Sequence, residues 1–350
     1  SRATMRPILQ KINIKTCYLH LGFHKTATTS FQLSCGNNRE KLLEEGIYYP
    51  KFEYQERKGN RWNHSGNIEF LCQTRPKTTL NKRKYHNKLE YEKSLKQPND
   101  IILSGEGFSC MKRQELEILK KNLIDNGFII KAFGLVRSPY SFACSALQQT
   151  IKNGKFHSFI GLGDSYLFHT SQNNIYHLPE RSQQIERLLD VFKDDLQLYS
   201  FKQAISYADG PVSFLLSQIK PNLPFRFKED LKSSGPSLTN LQARLMNAIN
   251  ALTKLQKKEK ISKQLIEAQR LAIHQQTAQS TGEKFFLTEQ EFTLVESHYK
   301  EISQRMEKAI GHTFTQENIQ FSKPNIDPTY IAQALTAYIS SFVVVPSNES

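Results

Sequence analysis

The chain alternates short apolar runs with helical segments, and this alternation constrains its fold more than any other feature. Short apolar runs bounded by turn signals are typical of strands buried in a parallel sheet. Helices between such strands return the chain to the same edge of the sheet. The sequence therefore predicts an α/β fold with a central parallel sheet flanked by helices. The predicted strands are residues 16–21, 47–49, 101–104, 129–136 and 196–200.

The C-terminal part of the chain has a mostly helical pattern. Apolar residues recur at helical spacing over residues 241–252 and 292–306. Thr288 is followed three residues later by Glu291, which predicts a capping box at the start of the last helix.

These patterns predict a single domain over residues 15–312. An N-terminal tail precedes it at 1–14, and its first residues are typical of a vector remnant. A C-terminal extension follows at 313–350. The segments 51–99 and 153–179 resist regular assignment, and we expect insertions there, of the kind that form lids over sites.

The charge balance indicates an anionic partner. The 47 Lys and Arg residues against 33 Asp and Glu residues give a formal net charge of +14. This excess does not distinguish nucleic acid from phosphorylated or sulfated small molecules. We expect no membrane span, because no apolar run approaches the ~18 residues that a transmembrane helix needs. Five scattered cysteines predict neither a disulfide framework nor a metal site, which favours a cytoplasmic location.

The first predicted strand is followed by Gly22 and a loop rich in hydroxyl groups. The backbone N–H groups and the dipole of a helix N-terminus favour an anion, and Lys25 adds a mobile positive charge. A capped helix start with an incidental lysine is the competing interpretation. The order of residues differs from the G-x-x-x-x-G-K-[ST] pattern of nucleotide hydrolases. The expected hydroxyl donors are Thr26, Thr28, Thr29 and Ser30.

The segment from Gly22 to Gln32, GFHKTATTSFQ, resembles the 5′-phosphosulfate loop of sulfotransferases, written G-x-P-K-[ST]-G-[ST]-T. His24 and Ala27 stand where that pattern has Pro and Gly. We expect Ala27 to fit with a negative φ. The resemblance implies the P-loop-like fold of that family, 3′-phosphoadenosine 5′-phosphosulfate (PAPS) as donor, adenosine 3′,5′-bisphosphate as product, and no metal. The donor-binding residues that it implies are His24, Lys25, Thr26, Ala27, Thr28, Thr29 and Ser30.

A second motif of that family is present after the strand at 129–136. Arg137 ends the strand, and Ser145 follows eight residues later in the next helix. The resemblance implies that this pair binds the 3′-phosphate of the donor, which an Arg fork with a neighbouring hydroxyl suits. The segment around Ser234 resembles the nucleotide-binding N-x-S-L segment of bacterial relatives, although its Asn is missing. A loop with Ser237 as helix N-cap is the alternative there.

Sulfuryl transfer also needs a base for the acceptor hydroxyl and a cation for the leaving oxygen. Lys25 suits the cation role. Glu106 is the favoured base, because it follows a strand at the carboxyl edge of the sheet between two glycines. His64 is the second candidate base, since an imidazole titrates near neutral pH.

The resulting hypothesis is a PAPS-dependent sulfotransferase that acts on a hydroxyl of a glycan or glycan-like acceptor, with no nucleic acid partner. Two alternatives stay open. One is a nucleotide-dependent kinase on the same fold, although no clear acidic metal ligand follows a strand. The other is a non-enzymatic protein that binds nucleic acid or another polyanion through the basic run at 75–96.

Overall fold

A computed structural model of the chain describes residues 14–323, except 24, 57–58, 62–67, 74–79, 163–175, 224–236, 259–263, 265–266, 269–270 and 272–282. The chain divides into two compact units. The first, here called the sheet unit, comprises Ser1–Val136 and Gln183–Ser234. The second, here called the helical unit, comprises Arg137–Ser182 and Gly235–Ser350.

The regular elements follow the chain in this order. The strands are β1 Lys15–Leu21, β2 Ile47–Tyr48, β3 Tyr54–Glu56, β4 Gly59–Arg61, β5 Asp100–Gly105, β6 Phe128–Val136 and β7 Leu196–Ser200. The α-helices are α1 Thr28–Asn37, α2 Arg39–Glu44, α3 Lys82–Leu95, α4 Glu106–Cys110, α5 Arg113–Asp125, α6 Pro139–Lys152, α7 Ser182–Phe192, α8 Phe201–Ile205, α9 Gly210–Ile219, α10 Asn240–Lys258 and α11 Glu289–Ile310. Short 3₁₀ helices occupy Glu69–Cys72, Lys193–Asp195 and His312–Phe314. None of the helices described is long and apolar enough to cross a membrane.

Five strands of the sheet unit form one parallel sheet in the order β2-β5-β1-β6-β7. The predicted central parallel sheet flanked by helices is confirmed. Each predicted strand of this sheet is present, with boundaries shifted by one residue at most. The carboxyl ends of β1 and β5 are level, since Leu21 pairs with Gly105.

Side chains that alternate along β1 supply the cores on both faces of the sheet. On one face, Tyr18 belongs to a buried cluster with Phe31 of α1 and Leu215 of α9. On the other face, Cys17 and Leu19 are fully buried. Helix α5 packs against β6 and contributes three buried leucines, Leu116, Leu119 and Leu123. Burial on both faces explains why these strands read as continuous apolar runs.

The strand order places a crevice at the carboxyl end of β1. The chain passes from β1 to the edge strand β2, returns to β5, and then crosses to β6 on the other side of β1. Ligands of doubly wound sheets bind where the strand order reverses in this way. The loop after β1 and the turn after β5 both lie at this point.

The structure differs from the sequence-based expectation in two places. The segment 51–99 holds a β3–β4 hairpin and the 14-residue helix α3, although we expected it to be irregular. Its polar composition conceals the helical period, because α3 buries only Asn87, Tyr91, Ser94 and Leu95. After the first loop the sequence predicts one helical segment reaching about Glu45, whereas the structure has two helices, α1 and α2, separated at Asn38.

The helical unit is built around a buried ion pair between Arg244 of α10 and Glu291 of α11. Their side chains are 1% and 2% exposed, with 2.8 Å between Nη2 and Oε1. The guanidinium also donates to Asn240 Oδ1 and to the carbonyl oxygens of Gly161 and Phe286. Thr288 and Glu291 form the predicted capping box of α11, which is thereby confirmed.

Asparagines of α10 continue this hydrogen-bonding face along the helix. Asn247 accepts from the backbone N–H of His157 and donates to the carbonyl oxygens of His157 and Ile160. Asn250 donates to the carbonyl oxygens of Ile151 and Lys155. The beginning of the 153–179 insertion is therefore fixed to α10 by side-chain hydrogen bonds.

We expect Glu291→Ala to lower the free energy of unfolding by roughly 3–5 kcal/mol, because it leaves the charge of Arg244 buried without its partner. Urea denaturation followed by circular dichroism measures this change. Glu296→Ala on the same helix removes an exposed partner of Lys300, and we expect a change below about 1 kcal/mol. Equal effects of the two substitutions would contradict the importance of the buried pair.

Candidate functional site

The loop between β1 and α1 lies at the carboxyl edge of the sheet. β1 ends at Leu21, and α1 begins at Thr28 with Ala27 as its N-cap. Its N-cap residue, Ala27, offers no side-chain acceptor to the first N–H groups, and no acidic residue lies in the first turn of the helix. The first backbone N–H groups of α1 and the helix dipole therefore favour an anion at this end.

Gly22 fixes the loop to the end of β5. Its N–H donates to the carbonyl of Gly105 at 3.1 Å, and its own carbonyl accepts from Ser109 Oγ at 2.8 Å. A Cβ at position 22 would lie 2.5 Å from Thr28 Cγ2 and 3.2 Å from the backbone N of Glu106. Only glycine permits this approach, so the β1–α1 loop and the start of α4 are held side by side.

The loop backbone is left-handed at two non-glycine residues. Lys25 has φ of 58° and Ala27 has φ of 62°. The expectation of a negative φ for Ala27 is wrong: the chain has to turn sharply here so that α1 can begin at Thr28. A left-handed residue other than glycine costs roughly 1–2 kcal/mol, so the loop is held in place at the expense of local strain.

The hydroxyl groups of the loop divide into two sets. Thr26 and Thr28 are buried, and both hydroxyls donate to the carbonyl of Phe23, at 2.7 and 3.3 Å. These two hydroxyls stabilise the loop instead of facing a ligand. Thr29 and Ser30 are partly exposed in the first turn of α1. Of the four predicted hydroxyl donors, these two can therefore reach a bound anion.

Glu106, the predicted base, is the first residue of α4, and its side chain is exposed. The hydroxyl of Ser109 lies 2.8 Å from the carbonyl oxygen of Glu106 and 2.8 Å from that of Gly22. The structure therefore brings the predicted base beside the loop that carries Lys25.

A second carboxyl group, which the sequence did not indicate, lies against α4. A Cβ on Gly107 would be 1.7 Å from Oε1 of Glu69, so the carboxyl of Glu69 occupies the space that this glycine leaves open. Burial raises the pKa of Glu69 to about 7. Gly107 is one of the two glycines beside Glu106, and the group that approaches it closely is the side chain of Glu69.

A buried histidine supports the loop from within the sheet. His20 Nδ1 lies 2.7 Å from Ser104 Oγ, and its ring stacks on Phe133. Burial lowers the pKa of His20 to about 3, so it stays neutral, as expected for a strand residue. Gln32 of α1 donates to the carbonyl of Ser104 at 3.0 Å and so ties α1 to β5.

In the helical unit, Arg137 and Ser145 lie together as their spacing predicts. Arg137 Nη1 is 3.3 Å from Ser145 Oγ, and Nε and Nη2 are 3.2 and 3.0 Å from Ser141 Oγ. The sequence reasoning missed Ser141, although it lies one turn before Ser145 on the same face of α6. Desolvation lowers the pKa of Arg137, and the neighbouring Cys144 and Glu317 partly offset this.

The carboxylate of Glu317 binds the start of α6. It accepts from the backbone N–H groups of Tyr140 and Ser141, both at 3.0 Å, and from the hydroxyl of Tyr299. The N-terminus of α6 is therefore occupied by a side chain of the same unit.

Three predicted site residues, His24, His64 and Ser234, lie outside the described residues. His157 is described: its Nε2 lies 2.8 Å from Thr150 Oγ1, and burial lowers its pKa to about 4. It is a neutral, hydrogen-bonded histidine of the helical unit.

The fold and this site define an α/β protein with a five-stranded parallel sheet and, at the carboxyl edge of that sheet, a helix N-terminus whose N-cap residue is an alanine. Comparisons of the chain with family models, with curated proteins and with solved structures found no match.

The strained loop yields a stability prediction. We expect Ala27→Gly to raise the free energy of unfolding by about 1 kcal/mol, because glycine adopts the left-handed conformation without a steric penalty. Thermal unfolding measures the change. Ala248→Gly in the interior of α10 should have the opposite sign, at about 1 kcal/mol lost. A destabilised Ala27→Gly protein would contradict the left-handed assignment.

The raised pKa of Glu69 yields a pH prediction. The folded state favours the protonated carboxyl, so wild-type stability falls as pH rises from the ordinary pKa of 4.5 to about 7. We therefore expect Glu69→Gln to be more stable than wild type by up to roughly 3 kcal/mol at pH 8, with little difference at pH 4.

Denaturant unfolding of both proteins at the two pH values tests this. Glu117→Gln, which removes an exposed carboxylate from α5, serves as the control and should show no such pH-dependent gain. If Glu69→Gln behaves like that control, Glu69 is not buried as described.

Proposed function

We propose that this protein is a sulfotransferase that moves the sulfuryl group of PAPS to a hydroxyl acceptor. The observation that carries the proposal is the N-terminus of α1, which has an alanine as N-cap, holds no acidic residue in its first turn and follows a tight loop containing Lys25 at the reversal point of the sheet. Helix N-termini in this position bind phosphate-like groups through backbone N–H groups. The 5′-phosphosulfate of PAPS is such a group.

Sulfuryl transfer is an in-line displacement at sulfur. The acceptor oxygen bonds to sulfur while the bond from sulfur to the phosphate oxygen breaks, and the acceptor proton passes to a base. Negative charge grows on the leaving oxygen, where a flexible ammonium such as Lys25 stabilises it. Because Gly22 and Ser109 hold the end of β5 against the loop, a carboxylate there lies beside the reacting group. Glu106 is the one that the sequence predicts.

The side-chain cluster of Arg137, Ser141 and Ser145 suits a phosphate group, as expected for the 3′-phosphate of the donor. Three guanidinium nitrogens face two hydroxyls. This fork of donors suits the oxygens of a phosphate, and each hydroxyl can turn its own proton toward the same anion.

Exposed lysines on α3 support an anionic acceptor. Lys82 and Lys93 of α3 and its C-cap residue Lys96 are exposed, and at 100° per residue they lie along one stripe. An acidic glycan would meet this stripe favourably. The same stripe is the observation that favours the second candidate function, a non-catalytic polyanion-binding protein.

Isothermal titration with adenosine 3′,5′-bisphosphate, ATP and a DNA duplex separates these functions. A sulfotransferase binds the bisphosphate at micromolar concentration and more tightly than the other two ligands. A preference for ATP would indicate a kinase, and a preference for the duplex would indicate a polyanion-binding protein. Transfer of labelled sulfate to a panel of glycans, phenols and lipids then identifies the acceptor.

Substitutions of Arg137 and Lys25 test the two proposed anion-binding positions separately. We expect Arg137→Ala to weaken bisphosphate binding by about 10- to 100-fold, because charged hydrogen bonds to a phosphate are lost. Lys25→Ala should reduce turnover by about 100- to 1000-fold, since leaving-oxygen stabilisation is lost.

The matched controls are Arg113→Ala and Lys131→Ala, which remove exposed cations from α5 and β6. Both should bind the bisphosphate as wild type does. A Lys25→Ala protein that transfers sulfate at the wild-type rate would contradict the proposed site.

A further inference from the structure

A carboxylate of the helical unit occupies the start of α6. Pro139, the first residue of this helix, has no N–H group, so the first two N–H groups are those of Tyr140 and Ser141. Both donate to Glu317, the first to Oε2 and the second to Oε1, each at 3.0 Å. One carboxylate thus binds the end of the helix through both of its oxygens, in the way that a phosphate or sulfate would.

The same carboxylate lies beside the guanidinium that is proposed to bind a phosphate. Ser141 joins the two groups: its N–H donates to Glu317, and its Oγ lies 3.2 and 3.0 Å from Nε and Nη2 of Arg137. Desolvation lowers the pKa of Arg137, whereas the charges of Cys144 and Glu317 raise it. The cluster of Arg137, Ser141 and Ser145 therefore already has an internal anion beside it.

Glu317 can release this contact while the chain around it stays in place. The segment that carries it is held further on by other hydrogen bonds. The carbonyl of Gln320 accepts from the hydroxyl of Tyr140, and the hydroxyl of Ser322 accepts from the backbone N–H of Phe286. Ser322 is buried, whereas Glu317 is only partly buried. The flexible glutamate side chain can therefore rotate toward water by itself.

We propose that Glu317 controls access to this anion site: a phosphate that binds Arg137, Ser141 and Ser145 displaces the Glu317 carboxylate from the start of α6. The inference rests on the proposed function, in which this phosphate is the 3′-phosphate of the donor. A nucleotide that lacks the 3′-phosphate leaves Glu317 in place. When the product dissociates, the carboxylate returns to the helix end. Glu317 therefore lowers the affinity for donor and product alike, which favours product release.

Charge decides the direction of this effect. The carboxylate and a bound phosphate would be neighbours, since both contact Ser141, and like charges repel strongly in a partly buried site. A phosphate has enough oxygens to accept from Arg137 and from the two N–H groups that the carboxylate leaves. Loss of the Glu317 charge should therefore strengthen phosphate binding, whereas loss of a carboxylate that only caps α6 would not.

Two substitutions weaken the competition in different ways. Glu317→Gln removes the charge and keeps the size of the side chain. Tyr299→Phe keeps the charge but removes the hydroxyl that donates to Glu317 Oε2 at 3.0 Å. Glu301→Gln is the matched control, because it removes an exposed carboxylate of α11 about 200° around the helix from Tyr299.

Isothermal titration with inorganic phosphate, adenosine 3′,5′-bisphosphate and adenosine 5′-monophosphate measures the effect. We expect Glu317→Gln to bind inorganic phosphate and the bisphosphate about 10-fold more tightly than wild type, and the monophosphate equally. Tyr299→Phe should bind the first two ligands about threefold more tightly, because the carboxylate that it retains is held less firmly. Glu301→Gln should stay within about twofold of wild type.

A protein that lacks the guanidinium shows whether the gain arises at this cluster. In a chain that carries Arg137→Ala, the further change Glu317→Gln should bring no gain in phosphate binding, since the site for which Glu317 competes is lost. An equal gain in this background would place the effect elsewhere and overturn the inference.

Thermal unfolding separates control of access from helix capping. Both roles predict that Glu317→Gln unfolds at a lower temperature without ligand, because a cap of α6 is weakened. Only control of access predicts that the bisphosphate then raises the unfolding temperature of this variant by more than that of wild type. A variant that is less stable and binds the bisphosphate no more tightly than wild type overturns the inference.

Inorganic phosphate keeps this test independent of the proposed function. If no protein binds the bisphosphate, the sulfotransferase proposal fails. Tighter binding of inorganic phosphate by Glu317→Gln than by wild type, lost when Arg137→Ala is added, still supports the role of Glu317. In that case equal, weaker or undetectable phosphate binding by Glu317→Gln overturns it.

Discussion

The backbone contacts of Gly22 organise the sheet unit at the edge where its chemistry is proposed. One hydrogen bond runs from Gly22 to Gly105 and a second from Ser109 back to Gly22, so two loops from neighbouring parallel strands behave as one piece. Pairing between neighbouring strands aligns the strand ends but leaves the loops that follow them free to move. The two hydrogen bonds remove that freedom, and the absence of a side chain at Gly22 lets Thr28 begin α1 in contact with them.

The same edge carries two unfavourable features that a purely structural loop would avoid. Ala27 is held left-handed, and the carboxyl of Glu69 is buried enough to resist ionisation. Each lowers the stability of the fold, and both lie within the same small region. Strain and perturbed ionisation gather at functional sites, because there the surrounding structure imposes a geometry that the local sequence disfavours. The rest of the sheet unit, with apolar cores on both faces of β1, supplies the stability against which these features are held.

The sequence predicted the sheet well because each strand is short, apolar and buried on both faces. It also predicted that Arg137 and Ser145 would lie together, since eight residues span about two turns of a helix. It did not reveal Glu69, because a contact with Gly107 across 38 positions leaves no local pattern. The positive φ of Ala27 could not be predicted from the sequence either. An alanine gives no indication of positive φ, whereas a glycine at this position would have suggested it.

The two edges of the parallel sheet differ in a way that bears on self-association. The β2 edge is only two residues long, Ile47–Tyr48, and the opposite edge is the five-residue β7. A strand of two residues offers too few backbone groups to template pairing with another chain. Intermolecular sheet growth would therefore be easier at β7, where Gln197 is exposed between Leu196 and Leu198. Of the two edges, it is the one at which an added charge would do most to keep the protein from aggregating.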